Sequence, residues 1–301
     1  MGSVDAISAL TQFFAHDPDI TAVYLYGRYE DTRTWPDSDI EIAVLFAQRV
    51  GEDGISEYME RLGSANPLGD APGILMPFPL NTHILPVVYE MLTGASVLVD
   101  NDPAGRELFA RQAMARLEEE RAALLEEAKD AIQRSRGLGP AAGPGVVLPQ
   151  PPAYLDPLRI GWRLARVLGS VAVLEPSTRD ADPFAKDPER IGQSIGWFSN
   201  AAGAATGIAK AMLNIFGMSR PSRRWEVFLP LADAKLIPTE LALQLGAMIE
   251  SRWQLITGTG LANPERIRIT IRSALPPVVT FARLAAWFSE VPGGKADQKL
   301  H

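Results

Sequence analysis

The sequence predicts an α/β domain, a nucleus of small sheet and helices, followed by an all-α helical bundle. Three observations carry this prediction. Residues 21–26 (TAVYLY) and 40–46 (IEIAVLF) are short β-branched and aromatic runs bounded by turn residues. Residues 137–152 (GLGPAAGPGVVLPQPP) form a tract dense in glycine and proline. Such a tract denies backbone donors and disfavours helix, so it divides the chain. Beyond it there is almost no strand signal. A chain of 301 residues is long enough for two domains.

In chain order, residues 5–16 and 84–93 carry helical spacing. Residues 74–80 are a third strand, which Pro77 and Pro79 push to a sheet edge. Residues 106–136 read as one long amphipathic helix with Leu108, Ala115, Leu117, Leu124, Leu125, Ala128 and Ile132 as its apolar stripe, its charge run being a solvated face. Helical segments follow near 156–174, 187–216, 222–235, 238–256 and 263–289, several beginning at a proline that a first helical turn accepts. The expected organisation is a first domain over 1–136, a linker over 137–153, a helical domain over 154–290 and a disordered tail over 291–301.

Composition excludes several chemistries. There is no cysteine, which removes disulfides, thiolate metal sites and cysteine nucleophiles. Only His16, His83 and His301 are available as imidazoles, too few for a multi-histidine metal centre. His16 and His83 read as surface or satisfied polar groups, with His83 nearer a cleft. No run of 18 apolar residues could span a bilayer, and the start lacks a signal-peptide pattern, so a cytoplasmic protein is expected. The net charge of −7 conceals an asymmetry. Residues 1–150 hold 11 Lys and Arg against 23 Asp and Glu, whereas residues 151–301 hold 18 against 13. Overall acidity argues against non-specific nucleic-acid binding by the whole chain.

Chemistry concentrates at the end of the first strand. Gly27 and Arg28 follow it, and Ser38, Asp39 and Glu41 open the second. Residues two apart on a strand share a face, so Asp39 and Glu41 form a carboxylate pair. Such a pair repels unless a cation or a proton neutralises it, and magnesium completed by substrate phosphates is the usual solution. A glycine turn lets backbone amides approach a triphosphate.

This layout, YLYGRYEDTRTWPDSDIEIAVLF over 24–46, resembles the minimal nucleotidyltransferases of the polymerase-beta superfamily. Their signature is a Gly-Ser turn, a Ser-Asp-x-Asp run and a third carboxylate on a later strand. Residues 86–103 also resemble the helix and strand that follow in that family. The resemblance implies Asp39 and Glu41 as magnesium ligands and catalytic residues. It implies Gly27, Arg28 and Ser38 as the site of a nucleoside triphosphate, with ATP foremost. Three departures stand out. Arg28 replaces the motif serine, Glu41 replaces the second aspartate, and Met76 holds the place of the third carboxylate. Arg28 could itself neutralise Asp39 or Glu41 where magnesium would sit.

Residues 156–288 resemble the HEPN helical domains, especially the HepT-type toxins encoded beside minimal nucleotidyltransferases. The family motif is an Arg-Asn pair, then a histidine, then a tyrosine. Here Arg252 stands at the arginine, Trp253 at the asparagine, Thr257 at the histidine and Thr259 at the tyrosine. Threonine cannot serve as a general base near neutral pH, so ribonuclease action of this kind is not expected. The tryptophans and phenylalanines of this half read as a core or a dimer seam, and a homodimer through the helical domain is implied by the family. Arg220, Arg223 and Arg224 form the densest basic cluster and offer a place for RNA, and Arg266, Arg268 and Arg272 form another.

The reading favoured is a toxin–antitoxin type fusion in which both catalytic signatures are altered, a pseudoenzyme binding a nucleoside triphosphate with weak or no NMP transfer. An active magnesium-dependent nucleotidyltransferase, passing NMP to a protein or RNA acceptor, is the first alternative. A non-catalytic scaffold or RNA-binding module is the second.

Overall fold

Alternating apolar residues in the two strand-like runs pair them at the centre of a four-stranded sheet. The computed structural model describes residues 3–26, 39–65, 67–68, 74–137, 154–219, 221, 223–256 and 263–289. It divides into two compact units, Met1–Ala122 and Ala123–His301. The first unit runs α1 (Ser3–Phe14), β1 (Ile20–Tyr26), β2 (Asp39–Phe46), α2 (Glu52–Ser64), β3 (Ile74–Pro79), α3 (Leu85–Gly94), β4 (Ser96–Asp100) and the start of α4 (Pro103–Gly137).

The strand order is β3-β2-β1-β4, with β1 antiparallel to β2 and β4 and with β2 parallel to β3. The prolines of β3 thus fall on an edge, as the sequence reading required, where missing donors cost little. One sheet face is apolar and carries α1 and α2. Leu10, Phe14, Ile20, Val23, Leu25, Ile40, Ile42, Val44, Phe46, Ile55, Tyr58 and Leu62 form that core. The sequence reading missed α2, although Ile55, Tyr58, Met59 and Leu62 recur at helical spacing. Its acidic start and two glycines masked that period.

Two asparagines tie this unit together. Asn101 Nδ2 donates to the carbonyls of Phe14, Asp17 and Ile20 at 2.9, 3.3 and 3.2 Å, and its Oδ1 accepts from the His16 amide at 3.1 Å. Those bonds close the α1–β1 turn, where His16 has a positive φ of 62°. His16 is therefore a turn residue. Asn81 extends the ladder past β2, accepting from the Phe46 amide at 2.8 Å and donating to its carbonyl at 3.1 Å. The Tyr58 hydroxyl donates to Asp17 at 2.8 Å, and burial together with that carboxylate pushes the phenol well above its ordinary range.

The second unit takes the end of α4, then α5 (Pro157–Ser177), α6 (Ala181–Ala185), α7 (Pro188–Ile215), the 3₁₀ turn Arg224–Glu226, α8 (Leu229–Asp233), α9 (Thr239–Ile256) and α10 (Pro264–Trp287). The same local chemistry starts three of these helices. Asp156, Asp187 and Asn263 each precede a proline, and each side chain accepts from a first-turn amide, at 3.0, 3.0 and 2.8 Å. Such caps contribute about 1 kcal/mol apiece. The stretch expected as one helix near 222–235 is instead the 3₁₀ turn and the short α8. Pro230 sits in the first turn of α8, and Lys235, at a positive φ of 58°, follows its end after little more than one turn.

The whole of the long α4 was expected in the first domain, but Ala131 and Ile132 lie in the core of the second unit. The stripe also differs from expectation. Leu117, Ala128 and Ile132 are buried, whereas Leu108 is 37% exposed and Ala115 is exposed. The charges of α4 do form a solvated face, with pairs such as Arg116–Glu120 at 3.1 Å and Arg134–Asp130 at 2.8 Å, each contributing a few tenths of a kcal/mol at most. Arg136 acts differently. Its guanidinium donates to the carbonyls of Ala286 and Ser289, both at 3.0 Å, satisfying the end of α10, and burial lowers its pKa from the arginine norm. Of the linker expected over 137–153, Gly137 is the last residue of α4, and 138–153 lie outside the described residues, as does the tail expected over 291–301.

The aromatic residues divide. Phe184, Phe198, Phe228, Phe281 and Phe288 are fully buried, and Phe228 meets Phe281 edge to face at 5.1 Å. The tryptophans expected in the same core stay at its rim, Trp197 at 39% and Trp287 at 47% exposure, because an indole is large and carries a polar edge. Glycine sets the helix spacing at particular points. A Cβ on Gly161 would sit 2.4 Å from the Cβ of Ala128, and one on Gly246 would sit 2.7 Å from the Trp225 carbonyl.

Replacing Gly161 by Ala should therefore cost about 1–3 kcal/mol by overpacking against α4. The same change at Gly169, eight residues along α5 with nothing within 4 Å, should hold or raise stability by up to about 1 kcal/mol. Denaturant unfolding of the two variants tests the opposite signs.

Candidate functional site

The sheet register builds one end of the first unit. β1 finishes at Tyr26, which lies opposite Glu41 of β2, and Glu41 lies opposite Met76 of β3. One residue pair further out, Asp39 lies opposite Ile74. Asp39 and Glu41 occupy same-face positions two residues apart, as the sequence reading inferred. Cross-strand partners share a face, so this face continues through the aligned row Val97, Tyr24, Ala43 and Phe78. It is the face opposite the core under α1 and α2, and α3 packs against β1.

The position abreast of Glu41 on β3 is thus Met76, as the sequence correspondence proposed, and β3 (ILMPFP) carries no acid. Glu90 is a residue the sequence reading passed over. It is a carboxylate only 4% exposed, on α3, whose helix ends four residues later at Gly94. Ala95 alone separates that helix from Ser96, which pairs with Leu25. The last turn of α3 therefore lies at the end of the sheet where β1 finishes and β2 starts. An acid inside the apolar run PVVYEML was the available signal. His83, in the turn after β3, lies against that row, its ring 4.9 Å from that of Phe78. The Tyr24 hydroxyl is hydrogen-bonded to Arg106 of α4, and burial raises its pKa above the phenol norm despite that cation. Arg106 Nε in turn reaches both Asp100 oxygens at 3.0 Å.

Gly27, Arg28 and Ser38 lie outside the described residues, as do Arg220 and Thr257. Among the described residues, no group of three His, Cys, Asp or Glu side chains is arranged to hold a metal ion. Met76 in place of an acid leaves the third ligand of a two-ion arrangement unsupplied from β3.

The first unit also has a counterpart among known families. Residues 8–103 match the family model described as Polymerase beta, Nucleotidyltransferase. The N-terminal domain is nucleotidyltransferase-like. The match covers the chain from within α1 to the start of α4 and so includes all four strands. None of the curated proteins matches the chain, and none of the solved structures does.

In the second unit, Arg252 lies on α9 with its Nε donating to Ser199 Oγ of α7 at 3.0 Å. Arg223 stands over the Trp225 ring at 5.6 Å and Arg224 over the Trp253 ring at 4.0 Å. The other basic cluster has a structural use. Arg268 and Arg272 donate to the Thr178 carbonyl at 3.2 and 3.3 Å, capping the end of α5. Among the described residues, no helix is long and apolar enough to cross a membrane.

The register makes Met76 the position to test. A Met76→Asp chain should gain at least tenfold in magnesium-dependent release of pyrophosphate from nucleoside triphosphates, measured against the native chain and against Phe78→Asp, which lies one aligned row away.

Proposed function

We propose that the chain is a nucleotidyltransferase-like protein of toxin–antitoxin type that binds a nucleoside triphosphate, ATP foremost, with weak or no transfer of NMP. The observation that carries this reading is Met76 abreast of Glu41, within a segment matching the nucleotidyltransferase family. The fold that presents nucleotides is kept, while β3 offers no carboxylate to orient a second metal ion. In this reading Gly27 meets the triphosphate with its backbone, Ser38 and Arg28 bind phosphate oxygens, and Asp39 and Glu41 hold magnesium when it is present. A magnesium ion there would neutralise the triphosphate and polarise the transferred phosphoryl group. Arg28 supplies a fixed positive charge at the same place without an ion.

The second unit is read as HEPN-like with its ribonuclease motif silenced, since Arg252 has Thr257 rather than histidine at the general-base position. A homodimer through that unit and a cytoplasmic location complete the proposal.

Thermal unfolding of the full chain with each of the four nucleoside triphosphates, with and without magnesium, tests it. Ligand at a hundred times its Kd adds roughly 2.7 kcal/mol, a rise of a few degrees. Stabilisation by ATP without magnesium, lost in Arg28→Ala, is the expected result. Stabilisation only with magnesium, accompanied by incorporation of α-labelled nucleotide that Asp39→Asn abolishes, would replace it with the active transferase. No shift with any nucleotide would sink the reading.

A further inference from the structure

We draw no further inference here: the strongest candidate, the face of α7 where Gly192, Gly196 and Gly203 have nothing within 4 Å of a Cβ and Trp197 is 39% exposed, is a stripe of small residues beside one apolar side chain, and nothing in the structure shows what covers it.

Discussion

β2 is paired on both sides, antiparallel to β1 and parallel to β3, and that double register fixes the chemistry of the first unit. Because side chains alternate along a strand, a single register sets the face of every residue at once. Ile40, Ile42 and Val44 turn into the core under α1 and α2, which commits the positions of Asp39 and Glu41 to the opposite face. A slip of one residue would bury two carboxylates and expose three aliphatic side chains. The hydrophobic pattern thus holds the acidic pair in place without any contact to it. The same register delivers Met76 to the position abreast of Glu41.

The second unit depends on close helix approach and on arginines with specific backbone or aromatic partners. Gly161 and Gly246 admit neighbours that a methyl group would exclude. Arg136, Arg268 and Arg272 satisfy carbonyls at helix ends that would otherwise face apolar surroundings. Arg136 also lies over the Trp287 ring at 5.5 Å, so one guanidinium serves both a helix end and an indole. Charge counted along the sequence cannot show such partners, since both basic clusters look alike until their acceptors are known.

Much of the architecture was legible in the chain. The short β-branched and aromatic runs at 21–26 and 40–46 marked β1 and β2 to within a residue, and Pro77 and Pro79 put β3 on an edge. Asp-Pro and Asn-Pro dipeptides marked the starts of α5, α7 and α10, because cap geometry is local. What escaped was weakly periodic or non-local. The period of α2 was interrupted by glycines and acids, and the expected helix near 222–235 starts late, with Pro230 in its first turn, and stops before Lys235 at a positive φ. Leu108 and Ala115 matched a helical stripe, but burial depends on what packs nearby, and both are exposed. Glu90 went unnoticed because its burial comes from α3 folding back on β1, which no local pattern encodes.

The sequence by itself determined the division into a sheet-bearing half and a helical half, the acidic pair two residues apart on β2, and the lack of any cysteine. These follow from residue identity and short-range periodicity. Only the tertiary structure decided that Met76 lies abreast of Glu41, that Glu90 is buried, and which arginines reach helix-end carbonyls. Each of those facts joins residues far apart in sequence, and the registers and helix contacts that join them exist only once the chain has folded.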